Sequence, residues 1–470
     1  MVASIFQPKV STRRVYAMGA LAAVLFGYDI AIIGAALLFI KNDLPLTDWW
    51  NGAVGAAVML GAMVGALGSG PLADRQGRQR ILLAAAVLFA IGAVGSGVAM
   101  WVEMLVSFRF LLGLAIGIAS VTVPLYLAEM APAGKRGAIT SLNQYMIIAG
   151  VVLASAVGYG LAFASKWQWQ GMLLIGVIPA VVLIIGILGM PDTPRSLVRR
   201  GHPEQGRAVL LSLRGDPAQA DRELTEIVEL ERQESTRTRA RLFVPWVRRL
   251  LLLGALLAIF QQITGINAIV TYQPTVLTGL GMDTREALLF GLFNGLVNVL
   301  TITVVIWSKV VDRRGRKPIL LAGLVGMSAS LLALGVAVLT LPVSSPALLI
   351  IAIVAIVLFT NTFSATWGPV LWVQLAEIFP LAVRGSAMAI ATLFNWLAAF
   401  LVTLTFPHLT ALAGTGSVFI AYALAGVVIF PIVWRMVPET KGRSLESLEA
   451  EFRNGTRLGI TERTTAAGAS

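Results

Sequence analysis

Leu127-Ala128-Glu129-Met130-Ala131-Pro132-Ala133-Gly134-Lys135-Arg136-Gly137 returns later in the chain as Leu375-Ala376-Glu377-Ile378-Phe379-Pro380-Leu381-Ala382-Val383-Arg384-Gly385. The shared frame is Leu-Ala-Glu-x-x-Pro-x-x-x-Arg-Gly. Two further strings repeat in the same order at a similar offset. Asp74-Arg75-Gln76-Gly77-Arg78 pairs with Asp312-Arg313-Arg314-Gly315-Arg316, and Pro191-Asp192-Thr193-Pro194-Arg195 pairs with Pro438-Glu439-Thr440-Lys441-Gly442. Half of the chain is therefore a copy of the other half. In a very apolar protein, parallel repeats of this kind point to a transporter working between two halves.

Apolar residues make up 57% of the 470 positions and charged residues only 13%. A soluble domain carries about 25% charged residues, so an aqueous globule is excluded. Apolar runs long enough to cross a bilayer as helices fall near 15–40, 52–72, 80–100, 104–128, 138–162, 168–190, 249–278, 285–311, 318–341, 346–376, 383–406 and 416–437. The pattern predicts an all-α membrane protein of twelve transmembrane helices in two six-helix halves. The expected units are 1–190, a cytoplasmic helical linker 191–248, 249–437, and a cytoplasmic tail 438–470.

The net charge of +12 would suggest nucleic acid in a soluble protein, but its distribution argues otherwise. Lys41, Lys166 and Arg285 fall in alternate loops on one side and Arg109 falls within a span. Every other Lys and Arg lies in the termini or in loops of the opposite side. This positive-inside bias places both termini and the 191–248 segment in the cytoplasm, and no nucleic-acid partner is expected. The first apolar run is longer than a signal-peptide core and lacks a cleavage pattern. Cysteine is absent, which removes disulfides and thiolate metal sites; no metal or cofactor is expected. His202 and His408 are read as solvated surface residues.

Within 191–248, Val209, Leu210 and Leu213, then Leu224, Ile227, Val228 and Leu230, recur at helical spacing, which predicts short amphipathic surface helices. The polar stretch 454–470 is expected to be disordered, with an inert sequon at Asn454. Glycines at 52, 55, 61, 65, 68 and 70 allow close helix approach.

Few charges lie deep in a span. Asp29, in Phe26-Gly27-Tyr28-Asp29, sits midway along the first, and Arg109 near the start of the fourth. Inserting such a charge at a helix centre costs roughly 2.5–3.5 kcal/mol, so these residues pair or serve function. An Asp whose Arg contact opens and closes can take up and release a proton. A permanent Asp29–Arg109 pair that only fixes packing is the plainer alternative. Asp74, Arg75, Arg78, Glu129 and Arg136, with Asp312, Arg313, Arg316, Glu377 and Arg384, gather at the cytoplasmic face. Opposite charges meeting there would form a gate that latches and releases. Uncharged amides cluster inside the spans: Gln144, Gln261, Gln262, Asn267, Asn298 and Asn395, with Trp372 and Trp396 as flat aromatic faces. Amides donate and accept, and with an indole face they suit a neutral polyhydroxylated ligand.

These motifs resemble one family, the sugar porters of the major facilitator superfamily, over about residues 15–450. The resemblance rests on Gly27-Tyr28-Asp29, both Asp-Arg-x-Gly-Arg loops, Pro124-x-Tyr126-x-x-Glu129, Pro191-Asp192-Thr193-Pro194-Arg195, Gln261-Gln262-x-x-Gly265-x-Asn267, Gly368-Pro369-x-x-Trp372-x-x-x-x-Glu377, Asn395-Trp396 and Pro438-Glu439-Thr440-Lys441-Gly442. It implies one central sugar site reached alternately from each side. By motif position the sugar contacts would be Gln144, Gln261, Gln262, Asn267, Trp372, Asn395 and Trp396, with Phe26 and Asn298 nearby. Proton-coupled members carry Asp where Asp29 stands, whereas facilitators commonly carry Asn. The resemblance thus implies proton:monosaccharide symport, for a pentose or hexose, by a monomer in a bacterial inner membrane.

Four residues in three motifs depart from the family pattern. Trp169-Gln170 replaces Trp-Arg, Asp192-Thr193 replaces Glu-Ser, and Thr271-Tyr272 replaces Tyr-Tyr. A facilitator of sugars or polyols is the nearest alternative function. A non-transporting sugar sensor is the more distant one, and no nucleophile–base pair suggests an enzyme.

Overall fold

In lipid a backbone can satisfy its own polar groups only as a helix or a closed barrel, and this chain folds as helices. The computed structural model describes residues 12–131, 136–164, 166–234, 244–308, 310–380, 383–443 and 452. Pro132, the tail 454–470 with its sequon, and the side chain of Arg136 lie outside the described residues. The first half contains α1 (Thr12–Asp43), α2 (Asp48–Gln76), α3 (Arg78–Gly97), α4 (Val102–Met130), α5 (Arg136–Leu161) and a sixth crossing made of α6 (Gln168–Leu174) and α7 (Val177–Leu188). Then come α8 (Pro194–Arg199), α9 (Pro203–Arg214) and α10 (Pro217–Glu234). The second half comprises α11 (Pro245–Ile263) with α12 (Ile266–Gly279), α13 (Thr284–Ser308), the short α14 (Val310–Arg314), α15 (Arg316–Thr340), α16 (Pro346–Ala365) with α17 (Trp367–Ile378), α18 (Arg384–Ala413) and α19 (Thr415–Met436). These elements supply 12 spans long and apolar enough to cross a membrane, one for each apolar run.

Helices α8–α10 sit at the basic end of the bundle, and the opposite end is here the far end. Helix α9 buries Val209 and Leu210. Its Arg214 donates to the carbonyls of Met130 and Ala131 at the end of α4, both at 3.3 Å, and pairs with Glu223 of α10 at 2.9 Å. The apolar stripe expected on α10 is only partly covered, because Val228 and Leu230 are exposed. Glu231 on α10 binds Arg195 at 2.6 Å and Arg199 at 2.8 Å. Burial pushes its carboxyl up, but the hydrogen bonds from Arg199 and Arg195 outweigh that and hold it below the ordinary 4.5. Its contribution to docking is complete above pH 4.5 and is lost as pH falls through the lowered value.

The halves meet along α1–α12, α2–α18 and α5–α13. The close contacts lie towards the far end. Gly34 of α1 abuts the Thr271 carbonyl, and Gly52 of α2 abuts the Leu404 carbonyl of α18. The Tyr272 hydroxyl lies 3.3 Å from the Asn51 carbonyl of α2 and 3.2 Å from that of Thr403 on α18. Trp49 stacks on His408 at 4.7 Å, so His408 is an aromatic contact between halves rather than a free surface residue. The far end is closed.

Three spans break. The sixth does so at Ile175-Gly176, and the tenth at Thr366 (φ −127°, ψ −87°). The seventh breaks at Thr264-Gly265, where Gly265 takes φ +88° with the Tyr422 ring against it. A side chain at 265 would face both the left-handed backbone and that ring. Gly265→Ala is expected to cost about 1–3 kcal/mol and to lower the melting temperature in detergent by a few degrees. Unchanged melting would show that the break does not require glycine.

Candidate functional site

Around the break after α11, Gln261 and Gln262 meet Asn395 of α18, and Asn267 joins them through Gln262. Asn395 donates to Gln261 Oε1 at 2.8 Å and to the Ala258 carbonyl at 3.1 Å. Gln262 donates to Asn395 Oδ1 at 3.2 Å and accepts from Asn267 at 2.5 Å. Gln261 donates to the Trp367 carbonyl at 2.9 Å, at the start of the second segment of the tenth span. The amides therefore satisfy one another across both broken spans and α18. Beside them Phe26 of α1 meets Trp396 of α18 edge to face, ring centroids 5.8 Å apart, which joins the two halves at mid-depth. Trp372 and Gln144 are half-buried on α17 and α5. Asn298 on α13 carries a buried Oδ1 with no hydrogen-bond partner.

Asn294, one turn before Asn298, was not singled out in the sequence. It is buried, donates to Gln273 at 3.0 Å and accepts from Thr360 at 3.1 Å and Asn361 at 3.4 Å. This second polar cluster ties α12 and α16 to α13. The four-residue spacing of Asn294 and Asn298 on one helix face was the available signal.

Asp29 and Arg109 are both buried and lie 3.5 Å apart. Arg109 is held by its Nε, which donates to the Val54 carbonyl at 2.8 Å. Asp29 Oδ2 and Arg109 Nη1 have no hydrogen-bond partner, so the pair is long and incompletely satisfied.

At the basic end the repeated motifs converge twice. Arg78 pairs with Glu129 at 3.3 Å and Asp74 at 3.1 Å, and Arg199 of α8 also reaches Asp74, at 2.5 Å. In the second half Arg316 pairs with Glu377 at 2.9 Å and Asp312 at 3.3 Å. These pairs join helices within one half, so what they brace directly is each half. Arg75 and Arg313 are exposed, and Arg384 donates to the Phe379 carbonyl at 3.2 Å.

Asp192 and Glu439, read from the sequence only as family signatures, are central to both clusters. Helices α3 and α15 begin after Gly77 and Gly315, which offer no capping side chain. Asp192 Oδ1 accepts from the N–H groups of Arg78 at 3.0 Å and Gln79 at 3.4 Å. Glu439 accepts from those of Arg316 at 3.0 Å and Lys317 at 3.1 Å. Thr193 and Thr440 add hydrogen bonds to Glu129 and Glu377. Even Tyr126 and Gln374, different residues at equivalent places, both donate to the proline carbonyl of their own third motif. The recurrence of that motif was read in the sequence, but the capping role of its acid was not.

The other two departures from the family pattern, Gln170 and Thr271, differ in what they meet. Gln170 reaches Asp43 at 3.4 Å while Trp169 takes the shorter bond to it, 2.7 Å. Thr271 is fully buried, and at this pair of positions the aromatic contact with α2 and α18 is made by Tyr272.

A family model described as "Sugar (and other) transporter" matches residues 15–452. A D-xylose transporter of Levilactobacillus brevis is 40% identical over 453 residues, 95% of this chain and 97% of that one. The glucose transporter GlcP of Staphylococcus epidermidis is 40% identical over 443 residues, 94% and 97%. Among solved structures, the inward open conformation of the xylose transporter XylE from E. coli matches with a TM-score of 0.80 at 32% identity, covering 93% of this chain and 99% of that one. XylE described as a proton:xylose symporter bound to 6-bromo-6-deoxy-D-glucose matches with 0.76 at 32% identity, 94% and 99%. The chain belongs to the sugar transporter family of the major facilitator superfamily. It is a multi-pass membrane sugar transporter.

Losing a carboxylate cap costs about 0.5–2 kcal/mol. Asp192→Ala and Glu439→Ala are each expected to lower thermal stability by a similar amount. Unshifted melting curves for both would show that α3 and α15 start without these caps.

Proposed function

We propose that this protein is a proton:monosaccharide symporter, carrying a pentose or hexose by alternating access. The observation that carries the reading is the buried Asp29–Arg109 pair, set at 3.5 Å with a carboxylate oxygen free of hydrogen bonds. A pair that served packing alone would gain from closing to full contact. A carboxylate that must change protonation is better served by a partner that holds it loosely. The matched structure described as a proton:xylose symporter lends the same support.

In this mechanism the sugar binds between the halves, on Gln144, Gln261, Gln262, Asn267, Trp372, Asn395 and Trp396, with Phe26 and Asn298 beside it. The hydrogen bonds among the carboxamides of Gln261, Gln262, Asn267 and Asn395 are exchanged for hydrogen bonds to sugar hydroxyls. The count of hydrogen bonds hardly changes, so binding is modest and release is easy, as a transporter requires. Domains 1–190 and 249–437 rock against each other. The paired charges Asp74, Arg78 and Glu129, and Asp312, Arg316 and Glu377, with Arg75, Arg136, Arg313 and Arg384 around them, form the gate at the basic end. That end faces the cytoplasm of a bacterial cell whose inner membrane holds the protein as a monomer.

One proton crossing 100 mV supplies about 2.3 kcal/mol, enough for roughly 50-fold accumulation. Pulses of xylose, arabinose, galactose, glucose and myo-inositol are given separately to de-energised, weakly buffered cells. One is expected to alkalinise the medium in cells that express the protein and not in controls. Equilibration of labelled sugar with no pH change would make it a facilitator. Asp29→Asn should abolish accumulation and spare counterflow exchange; loss of both, or of neither, contradicts the proton role. Gln262→Ala should raise the KM for counterflow roughly 5–150-fold, from about 1–3 kcal/mol of unmatched hydrogen bonding.

A further inference from the structure

The buried polar atoms that lack a partner are not scattered evenly. Two of them, Asp29 Oδ2 and Arg109 Nη1, belong to the buried ion pair, and three, Asn51 Oδ1, Thr271 Oγ1 and Thr403 Oγ1, belong to residues at or beside the Tyr272 contact of the closed far end. Helix α2 sets their spacing. Arg109 is fixed to its Val54 carbonyl, and one turn away the Tyr272 hydroxyl sits between the carbonyls of Asn51 and Thr403. Gly55, on the same turn, faces both the Tyr272 hydroxyl and the Thr403 methyl. Thr271 precedes Tyr272, and its carbonyl abuts Gly34, five residues beyond Asp29 on α1. Thus α1, α2, α4, α12 and α18 bring residues that carry two charges, two hydroxyls and a carboxamide together around the Asn51–Gly55 turn of α2 and the Tyr272 hydroxyl packed on it.

Buried polar groups nearly always find a partner in protein or in bound water, and a buried water is held by two to four of them. We propose that these residues form a bound-water site between the Asp29–Arg109 pair and Tyr272, which hydrates the buried pair while the far end is closed. At Thr271, where the family pattern has an aromatic ring, a smaller side chain stands and its buried hydroxyl supplies one ligand. The inference goes beyond the proton-coupling proposal and does not depend on it, because the site follows from unmatched polar groups whether or not Asp29 carries a proton.

Hydroxyl-radical labelling by X-ray pulses tests the site, since radicals formed from bound water oxidise neighbouring side chains even where they are buried. Trp367 is the internal control: it is as buried as Tyr272, its indole N–H is satisfied by the Leu320 carbonyl at 2.9 Å, and it is not among the residues of the proposed site. Tyr272 is expected to be labelled severalfold more than Trp367. After mixing with oxygen-18 water, its label should stay oxygen-16 longer than that of Trp49, which is 51% exposed. Labelling of Tyr272 no greater than that of Trp367 would show a dry site. Oxygen-18 uptake as fast as at Trp49 would show that bulk water arrives by opening; either result overturns the proposal. The Thr271→Val and Thr403→Val double variant should lose the excess label, and retention of it would also overturn the assignment. Should that variant not fold, the native protein still decides.

Discussion

Asp192 and Glu439 each hand one carboxylate to a helix that starts without a cap of its own. A helix start leaves N–H groups unpaired and carries the positive end of the helix dipole, so a carboxylate there satisfies donors and charge together. Because each acid lies just past the last crossing of its half, the cap ties the end of that half to the start of its third crossing. The neighbouring threonine binds Glu129 or Glu377, which in turn holds Arg78 or Arg316. Four helices of each half are thereby fixed at the basic end. A half braced in this way can move against its partner as one body.

The two halves share motifs but differ in how they use them. In the second half both the seventh and tenth spans break, and the amides that face the proposed sugar site sit at those breaks. In the first half α1 and α4, at the equivalent places, run unbroken. They carry Asp29 and Arg109, a pair whose geometry depends on two straight helices and on the Val54 carbonyl of a third. Broken spans expose backbone groups and turn side chains away from the helix axis, which suits a site that must make and release contacts. The α8–α10 layer adds a further asymmetry. Arg214 caps the end of α4, and Arg199 extends the ion pairs of Asp74 outward to Glu231.

The number of spans, the twofold repeat, the basic side and the family were all legible in the sequence. A membrane helix satisfies its backbone within itself, so each apolar run declares its structure without reference to the rest of the chain. Asp29, Arg109 and the amides of spans 7 and 11 stood out for the same reason, as polar groups in apolar runs. Asn294, Gln273 and Asn361 are equally polar but were passed over, because a lone amide shows its partner only when the neighbouring helix is in place.

The sequence by itself determined which residues cross the membrane, which end is basic and which side chains must find partners. Only the tertiary structure decided which partners those are. It placed Asp192 on the start of α3, made Tyr272 the link between α2 and α18, and set Asp29 against Arg109 at a distance that leaves both incompletely paired. The physical reason is range. Helix formation depends on residues four apart, whereas these pairings depend on which faces two distant helices turn toward each other. That is fixed by the close approach of Gly34 and Gly52 to opposing backbones and by the packing of the whole bundle.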